Sequence, residues 1–150
     1  ADGKVVMVEE VVEDQYIKDS VMRISIFLSP LDVHVNRSPV TGEVEYYNYY
    51  PGDYLVAYHP KASELNEHSK IGVKTKHGKV LFTQIVGIMA RRIVCKVREG
   101  DKLKCGDKIG MMKFGSRMDI YLKKDTRIIA EIGQRVVGGE TIVAVMNDEN

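Results

Sequence analysis

Gly100-Asp101-Lys102-Leu103-Lys104-Cys105-Gly106-Asp107-Lys108-Ile109 recurs 33 residues further on as Gly133-Gln134-Arg135-Val136-Val137-Gly138-Gly139-Glu140-Thr141-Ile142. Each copy runs glycine, polar, basic, apolar, two residues, glycine, acidic, any residue, isoleucine. The glycines mark turns, and the apolar residues between them can face one core. Outward from this repeat the chain reads as short strands. Lys4–Val12 is rich in valine, and Val21–Leu28 alternates before becoming apolar. Glu43–Tyr50, Tyr54–Tyr58, Ile71–Thr75 and Val80–Ile85 follow, separated by Thr41-Gly42, Pro51-Gly52-Asp53 and His77-Gly78, all turn chemistry. Helical signals are confined to Ala62–His68 and Val86–Arg92. Many short strands with frequent turns predict an all-β domain with minor α content, and the repeat predicts a barrel-sandwich hybrid.

The chain has 150 residues, which suits one domain spanning 1–150. Its hydrophobic fraction of 44% supports a real core, and a net charge of +1 gives no global field for nucleic acid. The pairs Arg91-Arg92 and Lys123-Lys124 are too short for a nucleic-acid patch by themselves and read first as solvated charge. Cys95 and Cys105 form neither a disulfide framework nor a CxxC pair, so a reducing compartment and no metal are expected. No apolar run approaches the length of a membrane span, and no signal-peptide pattern is present. The start at Ala1-Asp2-Gly3, without Met, leads us to expect that an upstream piece has been removed.

Chemistry concentrates at Lys113-Phe114-Gly115-Ser116-Arg117-Met118-Asp119. A serine hydroxyl beside a glycine carbonyl can attack that carbonyl once a base takes its proton. Glycine, without a β-carbon, tolerates the distorted backbone such an attack needs. The amide becomes an ester, and elimination and hydrolysis of that ester leave a pyruvoyl group at the new N-terminus. Most Gly-Ser pairs are only turns; this one is accompanied by Asp32-Val33-His34 and by Ala1-Asp2-Gly3.

Five segments, in order, carry a likeness over nearly the whole chain. They are Ala1-Asp2-Gly3-Lys4-Val5-Val6, Ile26–Arg37 with its Ser29-Pro30-Leu31-Asp32-Val33-His34, Asn66-Glu67-His68, Ala90-Arg91-Arg92-Ile93-Val94, and Phe114-Gly115-Ser116-Arg117. The sequence resembles the short form of the phosphatidylserine decarboxylase family. The resemblance implies a proenzyme that cuts itself between Gly115 and Ser116, giving fragments 1–115 and 116–150. Ser116 would become the pyruvoyl cofactor. Phosphatidylserine would then condense with it as a Schiff base, lose carbon dioxide and leave as phosphatidylethanolamine. The two fragments would stay together, with a homo-oligomer also allowed. The work would be done at a membrane surface, on the cytoplasmic face of the cell membrane, peripherally or through a missing N-terminal segment.

The resemblance also assigns residues. Asp2 matches the aspartate of a self-cleavage triad, and His34 a histidine linked to decarboxylation and its proton delivery. Taken alone, Asp2-Gly3 reads as a turn, and His34 between Val33 and Val35 as a strand residue. Longer family members carry a second histidine, the triad base, where this chain has Arg37, and arginine cannot act as a base near neutral pH. The expectation is therefore that His34 serves both steps, with His59 in reserve, while His68 and His77 are surface residues. Arg91, Arg92 and Arg117, together with His59, are expected to meet the substrate phosphate or carboxylate. Tyr46, Tyr47, Tyr49 and Tyr50 suit either an interface or a packed hairpin.

Three alternatives remain at this level. A biotinyl- or lipoyl-like carrier module would use the repeat and Met112-Lys113, although Lys113 follows Gly106 too closely for the usual hairpin. A pyruvoyl decarboxylase for a soluble amino acid would share the cleavage logic. A relative that no longer cleaves would account for Arg37.

Overall fold

The computed structural model describes residues 3–28, 35–52, 66–85, 93–112, 116–136 and 144–146. Among them every regular element is a strand, as the turn-punctuated β pattern predicts. The expected strand over 54–58 and the expected helix over 86–92 lie outside the described residues, as does most of the helix expected over 62–68. The end of that last stretch is extended: Asn66 forms a bridge and His68 opens a strand.

One eight-stranded sheet dominates. Its elements are β1 (Gly3–Glu13), β2 (Asp19–Phe27), β4 (Gly42–Tyr50), β5 (His68–Thr75), β6 (Gly78–Ile85), β8 (Lys102–Leu103), β10 (Arg117–Lys123) and β12 (Arg135–Val136). They lie in the order β12-β1-β2-β10-β6-β5-β4-β8, antiparallel throughout. β3 (Val35–Arg37), β7 (Ile93–Cys95) and β9 (Lys108–Met112) form a second sheet in the order β3-β9-β7. β11 (Arg127–Ile128) and β13 (Ala144–Val145) form a third.

The large sheet is related to itself by an internal twofold. β1 corresponds to β4, β2 to β5, β10 to β6 and β12 to β8, and Ile120 opposite Phe82 marks the centre. The registers obey this relation. Lys4 faces Phe27 and Val5 faces Ile26 before a bulge; Glu43 faces Lys74 and Val44 faces Val73 before a bulge at the same place. The sequence repeat is part of this symmetry. Gly133 N–H donates to Val5 O (2.7 Å) and Val5 N–H to Gln134 O (2.9 Å); Gly100 N–H donates to Val44 O and Val44 N–H to Asp101 O, both at 2.8 Å. Gly106 makes the same exchange with Ser38, again at 2.8 Å in both directions. Gly100, Gly106 and Gly133 sit at φ +94°, +93° and +93°, the left-handed region that a turn of this kind reserves for glycine.

The apolar residues alternate along the strands, so one face of the sheet is the core. Val5, Ile24, Ile26, Ile71, Val73, Val80, Phe82, Met118, Ile120 and Leu122 meet there. On the opposite face the turn over 14–18 folds back. Glu13 is buried and its carboxylate accepts from the N–H groups of Gln15 (2.7 Å), Tyr16 (2.7 Å) and Ile17 (2.5 Å). This lays the Tyr16 ring on Gly72 and against Tyr46, with centroids 5.7 Å apart.

The two halves differ in connection. The second is continuous, from Gly42 to Leu103, and a tight turn closes Thr75 onto Gly78. The first is split, residues 3–27 and 117–136, with the second half placed between them in the chain. Where the second half has the Thr75–Gly78 closure, the first has Leu28 N–H donating to Ser116 O at 2.9 Å.

Candidate active site

Ser116 lies immediately before β10 and is fully buried. Its carbonyl is fixed by the Leu28 amide, and the next rungs, Arg117 opposite Phe27 and Arg117 opposite Ile85, belong to the middle of the sheet. β10 is flanked by β2 and β6, so the segment following the predicted cleavage point is anchored on both edges.

Met118, Ile120 and Leu122 face the core, which turns Arg117, Asp119 and Tyr121 to the other face. That face is buried as well. Arg117 and Asp119 are each 0% exposed and form an ion pair, Nε to Oδ1 at 2.9 Å, supported by Nη2 donating to Oδ2 at 3.3 Å. Ser25 and Thr83 stand directly opposite Asp119 on the neighbouring strands, both buried, and neither hydroxyl has a hydrogen-bond partner among the described residues. Arg23 and Tyr121 lie within electrostatic reach of Asp119, and burial raises the Tyr121 phenol well above its ordinary value.

His68 is 5% exposed, which corrects its expected surface position. Its polar neighbours suggested the surface, whereas it is paired with Ile85 inside the sheet and stacks on Tyr50, centroids 4.7 Å apart. Nδ1 lies 2.6 Å from Asn66 O, so Nδ1 carries the proton and donates to that carbonyl. Burial lowers the pKa of His68 below the usual 6.5. His77 is only partly exposed. Of the tyrosine cluster, Tyr46 and Tyr50 share a hydroxyl contact of 2.7 Å, Tyr47 packs against the core, and Tyr49 is exposed. This is the packed-hairpin alternative for most of the cluster.

A polar groove of about 460 Å³ opens beside Tyr50, His68, Lys70, Arg23 and Tyr121, and one of about 500 Å³ beside Tyr47, Cys95 and Arg98. Ser116 lines neither. Burial raises the pKa of Cys95, the opposite of what an activated thiol needs. Among the described residues no group of three or more His, Cys, Asp or Glu could hold a metal, and no helix is long and apolar enough to cross a membrane.

The family model for phosphatidylserine decarboxylase matches residues 1–144. The chain belongs to the phosphatidylserine decarboxylase family. A phosphatidylserine decarboxylase proenzyme of Amoebophilus asiaticus is 48% identical over 150 residues, 99% of this chain and 67% of that protein. Those of Salinibacter ruber and Carboxydothermus hydrogenoformans are 51% identical over 144 residues, 95% of this chain and 63% and 68% of theirs. The chain thus spans about two thirds of the length of these relatives.

Of the residues that the decarboxylase resemblance assigns, Ser116 and Arg117 are described. Asp2, His34, His59, Arg91, Arg92 and Gly115 lie outside the described residues. Arg117 faces Asp119, an acidic partner that sequence reading missed; the Arg-x-Asp spacing puts both side chains on one face of a strand but does not by itself mark a buried pair. Arg37, where the resemblance led us to expect a histidine base, donates from Nη1 to Gly106 O at 3.0 Å and so braces the Gly106 turn.

Proposed function

We propose that this chain is the catalytic body of a self-processing decarboxylase that converts phosphatidylserine to phosphatidylethanolamine and carbon dioxide. Family membership supports the reaction, and the word proenzyme in its relatives' names supports the processing. The single observation carrying the reading is the setting of Ser116. It is buried from water at the head of a central strand, with its own carbonyl pinned and a glycine before it in sequence.

In this reading the Ser116 hydroxyl attacks the Gly115 carbonyl carbon, and the bond between Gly115 and the Ser116 nitrogen breaks, giving an ester and a free amine. Loss of the Ser116 α-proton and of the Gly115 carboxylate leaves a dehydroalanine, which water converts to the pyruvoyl end with release of ammonia. The buried setting suits that group, since it keeps bulk water from a reactive ketone. Once formed, the ketone supplies the electrophile for the substrate amine and the sink for electrons released with carbon dioxide. Asp2 and His34 are proposed as orienting group and base, with His34 also returning the proton. His59, Arg91 and Arg92 are proposed to hold the phosphate or carboxylate. Arg117, already engaged by Asp119, is better read as acting through the protein than on the lipid. The fragments 1–115 and 116–150 would remain one body, because β10 lies between β2 and β6. The membrane surface, its cytoplasmic face and self-association belong to the same proposal and rest on the resemblance.

The test is intact mass under denaturing conditions. Two fragments meeting at 115/116, the smaller lighter than a serine-started peptide by one ammonia, support the reading. A single chain of 16.9 kDa sinks it. One observation favours a second reading, a relative that no longer cleaves: Arg37 replaces the expected base and is committed to the Gly106 turn. Family membership leaves no need for a carrier module.

A further inference from the structure

The ion pair between Arg117 and Asp119 asks for an explanation beyond stability. Two charges that are both 0% exposed lose their hydration, and a buried pair seldom repays that loss better than apolar side chains of similar volume. The pair sits in a sheet whose other face at this point is Met118, Ile120 and Leu122, so an apolar solution was available to this strand. Its placement is specific. Arg117 immediately follows Ser116 and forms the rung next to the Leu28–Ser116 hydrogen bond; Asp119 is two residues on, between Ser25 and Thr83.

We propose that Arg117 and Asp119 are positioning residues for the bond between Gly115 and Ser116, an inference that rests on the self-cleavage reading above. Asp119 is held in the middle of the sheet; its Oδ2 accepts from Nη2 of the guanidinium, and its Oδ1 lies 2.9 Å from Nε as an ion contact. The fork is planar and rigid, so it fixes the Arg117 side chain along the strand. This braces the first rung of β10, and with it the Ser116 carbonyl that Leu28 holds. An attack on the preceding carbonyl needs the serine held close to its reacting geometry, and small displacements there are costly in rate. After cleavage the brace has a second use. Residue 116 becomes a chain end, which ordinarily frays, and a buried ion pair one and three residues in keeps that end inside the sheet.

The experiment compares self-cleavage in the full-length protein and three variants, followed by intact mass over time, with thermal midpoints measured in parallel. Asp119→Asn and Arg117→Lys each remove the charged fork and should slow cleavage at least tenfold. Arg117→Met/Asp119→Leu replaces the pair with apolar side chains; it should melt within a few degrees of wild type and still cleave at least tenfold more slowly. Hydrogen exchange at the Leu28 amide should speed up at least tenfold in Asp119→Asn, because that N–H donates to the Ser116 carbonyl. A double variant that folds and cleaves at the wild-type rate overturns the positioning role and leaves the self-cleavage reading intact. A wild-type chain that never cleaves overturns both. If Asp119→Asn does not fold, the double variant alone decides, since it removes both members of the pair together and leaves Arg23 its Glu9 partner.

Discussion

Gly3 and Gly42 are equivalent across the internal twofold, and each lies against a carbonyl of the adjacent strand. A β-carbon at Gly3 would stand 2.3 Å from Phe27 O, and one at Gly42 would stand 2.3 Å from Lys74 O. Both glycines precede the same bulge, and both neighbouring atoms are backbone, so neither site can give way by turning a side chain. The twofold is thus enforced by close approach of strands.

Gly42→Ala should therefore destabilise the protein by about 2–3 kcal/mol, the upper part of the range for an overpacked interior. Gly100→Ala meets nothing within 4 Å and suffers only the strain of φ +94°; it should cost about 1 kcal/mol. Urea unfolding midpoints of the two variants check the order, and equal losses would contradict the close-approach account.

Ser116→Ala should leave one chain of 16.9 kDa by denaturing mass, with a thermal midpoint close to that of the wild-type protein. The hydroxyl is lost, while the Leu28 N–H bond to the residue 116 carbonyl is a backbone interaction and survives. A Ser116→Ala chain that still splits at 115/116 would show that another group attacks.

Stability should fall as pH drops below about 6.5, in part through His68. Burial lowers its folded pKa, with Lys70 adding to the shift and Asn66 O and Asp119 opposing it. The unfolded chain then takes up a proton that the folded one resists, so this contribution is complete above the unfolded value and is lost as pH falls toward the folded one. Thermal midpoints from pH 7.5 to 5 should drop less in His68→Phe than in wild type, even though that variant loses the bond to Asn66 O at every pH.

Glu13→Ala should cost about 2 kcal/mol, because a charged acceptor serving backbone amides is stronger than a neutral one. Three N–H groups, of Gln15, Tyr16 and Ile17, lose their partner together. Glu13→Gln should recover part of the loss. The cover over Gly72 loosens with it, so the fluorescence environment of Tyr16 provides a second measurement.

The strands over Lys4–Val12, Val21–Leu28, Glu43–Tyr50, Ile71–Thr75 and Val80–Ile85 were legible because alternation and turn residues act locally. The glycine repeat was legible because a positive φ leaves a mark on composition. Its larger meaning was not: Gly3-Lys4-Val5 and Gly42-Glu43-Val44 share only a glycine and a valine, and their equivalence is carried by backbone register. His68 was misread because Glu67, Ser69 and Lys70 suggest water, whereas its rung against Ile85 and its stack on Tyr50 come from distant parts of the chain. The candidate serine was picked from Gly115-Ser116 and its companions, and its burial at the head of β10 was not legible there. The Asp119 partnership was not legible either, since Arg-x-Asp is ordinary spacing until β10 is known to lie between β2 and β6.

The split of the first half also has a consequence in time. A ribosome releases residues 42–103 before it makes β10, so the continuous half has all four of its strands in hand while the other still lacks its centre. Only when residues 117–123 have emerged and slotted between β2 and β6 does Ser116 acquire its rung to Leu28. On the proposed self-cleavage, maturation would therefore wait for synthesis: a chain made only as far as residue 103 would lack the Leu28–Ser116 rung that the proposed cut relies on.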